Sequence, residues 1–102
     1  MNNALTKDEI INTLRQQKDL LRTKFYVKNI GIFGSFARNE ANENSDIDFL
    51  VEIDAPLEIY IKNRYALIDY LENLFSREVD IANPSSLKPH YKDRILKQAV
   101  YA

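Results

Sequence analysis

Eight residues, Asp46-Ile47-Asp48-Phe49-Leu50-Val51-Glu52-Ile53, constrain this chain more than any other stretch. Ile47, Phe49, Val51 and Ile53 recur at every second position, the period of a β-strand that buries one face. Such a strand is unstable alone, so it demands neighbouring strands and a layer to cover its apolar side. The rest of the chain supplies both. Tyr26 to Phe33 reads as a second strand ending at Gly34, and Glu78-Val79-Asp80-Ile81 as a short third one.

Helices are expected around these strands. Thr6-Lys7-Asp8-Glu9 spells a capping box, and Ile10, Leu14 and Leu21, widened by Ile11, follow on one stripe; a helix over about residues 7–24 results. A short helix is expected over roughly Phe36 to Arg38. Leu57, Ile61, Leu67, Ile68, Leu71, Leu74 and Phe75 then recur at helical spacing behind Pro56, a good first-turn residue. Ser85 or Ser86 can cap a last helix with Leu87, Tyr91, Ile95 and Ala99 on its buried side, and Pro89 is tolerated in its first turn. Asn39 to Ser45, whose only apolar residue is Ala41, reads as a solvated loop. The order helix-strand-helix-strand-helix-strand-helix describes an α/β domain with at least three strands in one sheet.

Composition narrows the function classes. The 102 residues are expected to form one domain, residues 1–102, and 45% apolar residues suffice for a packed core. There is no cysteine, which excludes a disulfide scaffold, a thiol nucleophile and cysteine-based metal sites. With 14 basic and 15 acidic residues the net charge is −1, so the basic excess of a nucleic-acid-binding domain is missing and direct nucleic-acid binding is not expected. No apolar run approaches the roughly 20 residues of a membrane span, and Met1-Asn2-Asn3 is a polar start unlike a signal peptide; a cytoplasmic protein is expected.

Three places carry chemistry. Gly34-Ser35 stands where a strand stops and a helix starts; glycine admits close approaches, helix amides suit phosphate, and Ser35 adds a hydroxyl, although a plain Gly-Ser helix cap has the same spelling. Asp46 and Asp48 lie two apart, on one face of the strand with Cα atoms about 6.6 Å apart, close enough to converge on a small hard cation or, in the plainer reading, to face water at a turn. Asp80 is a carboxylate inside a short apolar strand, where aspartate is depleted, and is either a third ligand or a surface residue of an edge strand. Glu52 shares the face of Asp48 but lies roughly 13 Å along the strand, and Asp54 is farther, so Asp80 is the better third ligand. Three gathered carboxylates repel one another and raise a pKa unless a cation is present, and Mg²⁺ prefers such oxygen ligands.

The stretch Gly31-Ile32-Phe33-Gly34-Ser35-Phe36-Ala37-Arg38 through Asp46-Ile47-Asp48-Phe49-Leu50-Val51 resembles the signature of the DNA polymerase β-like nucleotidyltransferases: Gly-Ser, ten residues (36 to 45 here), then Asp-x-Asp. The chain is similar to the minimal nucleotidyltransferase branch over nearly its whole length, including Glu78-Val79-Asp80-Ile81 and a closing helix Ile95 to Tyr101. The resemblance implies a polymerase-β-like core, a mixed sheet flanked by helices. It implies that Gly34 and Ser35, with Arg38 near a phosphate, bind the triphosphate of ATP. Asp46, Asp48 and Asp80 would then hold Mg²⁺ as a pair of ions, and Asp80 would help activate the acceptor hydroxyl. Members of this branch pair with HEPN-domain ribonuclease toxins as antitoxins and place AMP on a toxin tyrosine, so a hetero-oligomeric complex with such a toxin is implied.

The sequence departs from the family at Asn39, where glycine is usual; asparagine tolerates left-handed torsions next best, so the turn should survive. Glu40 and Glu43 in the same loop are expected to face water, away from a triphosphate. His90, the only histidine, reads as a surface residue, and the six tyrosines as core or partner surface. Two other functions stay open: an antitoxin that acts by binding alone, and a nucleotidyltransferase for a small molecule.

Overall fold

The computed structural model describes residues 5–102. Met1 to Ala4, and with them the polar start of the chain, lie outside the described residues. The expected capping box is formed: the Thr6 hydroxyl accepts from the Glu9 amide at 3.2 Å while Glu9 Oε1 accepts from the Thr6 amide at 3.2 Å. It opens helix α1, Lys7–Gln16. The single helix expected to about residue 24 is broken, because Gln17 turns to φ −98°, ψ 7° before α2, Lys18–Phe25. The break is held from both sides. The Gln17 amide is shared between the Thr13 and Leu14 carbonyls, and its side chain accepts from the Tyr70 hydroxyl at 2.8 Å. Tyr26 ends α2 in the left-handed region, φ 59°, so the next strand starts one residue later than expected.

The remaining elements are β1, Val27–Phe33; α3, Gly34–Ala37; β2, Ile47–Ile53; α4, Tyr60–Phe75; β3, Val79–Ala82; α5, Pro89–Gln98; and β4, Val100–Tyr101. The sheet runs β3-β2-β1-β4, with β1 antiparallel to β2 and β4, and β2 parallel to β3. It is the mixed sheet expected, with a fourth strand. Parallel β2 and β3 require a crossover, which α4 provides.

Alternation on β2 divides the two layers. Ile47, Phe49 and Val51 are buried in one core with Ile10 and Leu14 of α1, Leu21 and Phe25 of α2, and Leu67 and Leu71 of α4. Asp48, Leu50 and Glu52 occupy the opposite face. Asn63, the one buried polar side chain among the described residues, donates to the Phe25 carbonyl at 2.7 Å and satisfies the end of α2.

Two expected burial patterns are corrected. A short tight turn, Leu57–Ile59, precedes α4, and Leu57 (89% exposed) and Ile61 (63%) face outward. The inward row on α4 is 60-63-67-71-74, so Ile61, one residue past Tyr60, is rotated away by about 100°. The last helix is not capped by Ser85 or Ser86. Those residues close a separate turn, Pro84–Ser86, held by the Asn83 side chain, and α5 begins at Pro89 after Lys88. No α5 residue is fully buried, and Tyr91 is exposed.

The closing helix also stops earlier than expected. Ala99 is extended (φ −63°, ψ 137°), and Val100 and Tyr101 pair with Ile32 and Gly31 as β4. Gly31 permits this: a Cβ there would stand 2.6 Å from the Val100 carbonyl oxygen and 3.0 Å from Tyr101 Cα. No helix among the described residues is long and apolar enough to cross a membrane.

Candidate active site

The site forms where β1 breaks into α3 beside the start of β2. Phe33 is still extended, and Gly34 then turns to φ +73°, a conformation that favours glycine. A second constraint acts on the same residue. A Cβ on Gly34 would run into the Asp48 carboxylate, with Cγ only 3.2 Å away. The glycine of the Gly-Ser pair is therefore the surface against which one aspartate of the Asp-x-Asp pair rests. Ser35 is half-buried in α3, and its carbonyl accepts from the Glu40 amide at 2.8 Å, which starts the following loop.

Asp48 and Asp80 are register partners across the parallel β2–β3 pair, which puts both side chains on the same face. Asp48 is half-buried; Asp80 and Asp46, which stands just before β2, are exposed. Burial pushes the Asp48 carboxyl above its ordinary value, the negative charges of Asp80 and then Asp46 push it further, and Arg38 opposes them. Asp80 and Asp46 thus both act on Asp48 electrostatically. Among the described residues no group of three His, Asp or Glu closes into a ready metal cage. Exposed Asp46 and Asp80 can swing about their side-chain bonds, whereas Asp48 is backed by Gly34. The donor set is all oxygen and mutually repelling, and suits a hard cation such as Mg²⁺.

The other acidic residues lie elsewhere. Glu52 shares the face of Asp48 but is engaged by Asn29 Nδ2 at 3.3 Å and Lys28 Nζ at 3.9 Å. Arg38 reaches the rim of the site, where its Nε donates to Glu40 Oε1 at 3.3 Å and its Nη1 to Gln98 Oε1 at 3.2 Å. Glu40 and Glu43 are exposed as expected. Asn39 adopts φ 59°, the left-handed turn expected of it in place of glycine. His90 is exposed on α5, its ring 4.5 Å from that of Tyr91. Nothing in the sequence singles out Arg77 or Gln98, yet both side chains hold residues of the motif through contacts that are distant in sequence.

Residues 14–102 match the family described as Nucleotidyltransferase domain. The protein adenylyltransferase MntA of Thermococcus cleftensis is 41% identical over 98 residues, spanning 95% of this chain and 96% of that protein. A solved structure described as a "putative minimal nucleotidyltransferase" superposes with a TM-score of 0.72 at 27% identity, over 97% of this chain and 98% of the other. A crystal structure of a toxin-antitoxin with AMP-PNP superposes with a TM-score of 0.64 over 95% of this chain and 72% of that one; at 24% identity the likeness is one of fold. With a Gly-Ser corner packed on the first of two facing aspartates, and with these relatives across nearly its full length, the chain is a nucleotidyltransferase and belongs to the Nucleotidyltransferase domain family, in its minimal, MntA-like branch.

Proposed function

We propose that this chain is a Mg²⁺-dependent protein adenylyltransferase of the cytoplasm, an antitoxin that transfers AMP from ATP to a tyrosine of a HEPN-domain ribonuclease toxin within a hetero-oligomeric complex. The observation that carries the reading is the placing of Asp48 opposite Asp80 with Gly34 packed against Asp48. The identity of 41% to a protein adenylyltransferase supports the donor and the acceptor class, and the fold shared with a toxin-antitoxin holding AMP-PNP supports the nucleotide and the partner. On this reading residues 1–102 act as one minimal domain, and the partner presents its own acceptor hydroxyl.

In the reaction the tyrosine oxygen attacks the α-phosphorus of ATP, a new P–O bond forms, the bond to the bridging oxygen of the β-phosphate breaks, and pyrophosphate leaves. Asp80, the exposed member of the facing pair, accepts the phenolic proton. Gly34 lets the chain come close to the triphosphate, the Ser35 hydroxyl donates to it, and Arg38 brings positive charge to the rim. Asp46, Asp48 and Asp80 would hold the metal, as two ions. Bound there, Mg²⁺ supplies charge neutralisation for both the carboxylates and the phosphates.

A second reading is favoured by one feature: the outward row Leu57, Ile61 and Tyr65 offers apolar surface to a partner, so neutralisation could occur by binding alone. Intact-protein mass spectrometry separates the two. A HEPN-domain partner incubated with this chain and Mg²⁺-ATP should gain AMP, and should gain none with Asp48→Asn. A stable, neutralised complex of unchanged mass would favour binding alone.

A further inference from the structure

The segment that joins the Gly-Ser pair to the Asp-x-Asp pair is held in its first half, where the Arg38, Asn39 and Glu40 amides donate back into α3 and Ala41 packs against the core, and has less to hold it beyond Ala41. Arg38 to Asp46 links α3 to β2, and its only apolar side chains are those of Ala41 and the hydrocarbon stems. Beyond Ala41 its internal bonds make one small turn: the Asn42 amide donates to Ser45 Oγ at 2.9 Å, the Asn44 amide to Asn42 Oδ1 at 2.8 Å, and the Ser45 amide to the Asn42 carbonyl at 3.1 Å. The turn is exposed, and water competes for each of these bonds.

Arg77 reaches this turn from the far end of α4. Its Nη1 donates to the carbonyls of Asn42 at 3.0 Å and Ser45 at 2.7 Å. The same guanidinium stands 5.1 Å from the ring centroid of Phe36. Ser45 immediately precedes Asp46, and buried Phe36 immediately follows Ser35, so one side chain touches the neighbour of each functional pair. Arg77 is itself well placed. Ser76 turns the chain in the left-handed region (φ 51°, ψ 46°), the Arg77 amide donates to the Glu72 carbonyl at 3.3 Å, and the next carbonyl, of Glu78, accepts from the Ile47 amide at 3.1 Å. That last bond begins the β2–β3 ladder in which Asp48 meets Asp80.

We infer that Arg77 is the positioning residue of this site, holding the triphosphate corner and the carboxylate strand as one rigid piece so that nucleotide finds them already aligned. The inference rests on the nucleotidyl-transfer reading for its catalytic meaning. A guanidinium suits the place, since Nη1 donates two charge-assisted bonds while the delocalised planar cation lies near the Phe36 ring, and an ammonium offers only a compact, strongly hydrated point charge.

The test compares the parent chain with Arg77→Met, which keeps an apolar stem but loses both donors, and with Arg77→Lys. Two readouts are taken: hydrogen exchange at the Asn44 and Ser45 amides against that of core amides such as Leu67, and calorimetric binding of Mg²⁺-AMP-PNP. Arg77→Met should exchange about tenfold faster at Asn44 and Ser45 with Leu67 unchanged, and bind Mg²⁺-AMP-PNP about tenfold more weakly, with Arg77→Lys between it and the parent. Parent-like exchange and affinity in Arg77→Met would overturn the inference, as would equal acceleration at Leu67, which marks a general stabiliser. If the parent bound no Mg²⁺-AMP-PNP, the nucleotidyl-transfer reading would fail, and the exchange comparison would still decide whether Arg77 holds the turn. Should Arg77→Met not fold, Arg77→Lys carries the same comparison, and parent-like values there refute the role.

Discussion

Asp48 rests its carboxylate against Gly34 Cα and faces Asp80 across a parallel strand pair, so the residue that would bind metal is also one that the fold holds at an electrostatic cost. Groups kept in such surroundings mark functional sites, where stability is given up for chemistry.

Asp48→Asn should therefore separate activity from stability. Transfer should be lost, while the metal-free variant should be more stable than the parent at neutral pH by about 0.5 kcal/mol, the scale of like charges placed opposite one another on a sheet. For a domain of this size that raises the melting temperature by roughly 2–4 °C. Calorimetry with and without Mg²⁺ checks both halves, since Mg²⁺ should raise the parent's melting temperature and leave that of the variant almost unmoved.

The pH dependence has a definite sign. A carboxyl whose folded pKa is raised binds its proton more tightly in the folded chain, so the penalty is absent below the ordinary value of 3.8 and complete above the raised one. Between those two points the stability of the parent should fall, relative to Asp48→Asn, as pH rises. Denaturant titrations of both chains over that window measure it, and a parent that gained stability over Asp48→Asn would contradict the assigned environment.

Gly34→Ala meets two obstacles at once, the left-handed torsion and the Asp48 carboxylate. The torsion alone should cost about 1–2 kcal/mol. Adding Asp48→Ala to Gly34→Ala should relieve part of the total, because the collision is then gone. A double-mutant cycle on melting temperatures shows it; strict additivity would mean the two residues do not touch.

Ser35→Ala should be milder, raising the ATP concentration needed for half-maximal transfer several-fold with little loss at saturation, as when one neutral hydrogen bond to the ligand is removed. An unchanged response to ATP removes Ser35 from the triphosphate site.

Gly31→Val should expel β4, since its Cβ would meet the Val100 carbonyl, at a cost of about 1–3 kcal/mol. The Ala102 amide, which donates to the Ile30 carbonyl at 3.0 Å, should then exchange rapidly while the α1 amides keep their protection.

What was legible in the sequence was local. The Thr6–Glu9 box, the alternation of Ile47, Phe49 and Val51 and the left-handed Asn39 each depend on neighbours within a few positions or on one strand's period, and each appears in the structure as expected. The pairing of Asp48 with Asp80 lay between these cases: the sequence named both residues, and a parallel crossover of α4 brought them into register.

Other features were decided only in three dimensions. Val100 and Tyr101 continue a helical pattern, yet become a strand because Gly31, some 70 residues earlier, leaves room for a backbone to approach. Gln17 breaks a helix where the Tyr70 hydroxyl meets it, Leu57 and Ile61 face solvent because the inward row of α4 passes them by, and Arg77 bonds to carbonyls more than 30 residues away. Caps and periodicity are set by steric and hydrogen-bonding limits within a few residues, so a linear sequence displays them. Burial, strand partners and side-chain clamps depend on which distant surfaces meet, and that is settled when the layers pack.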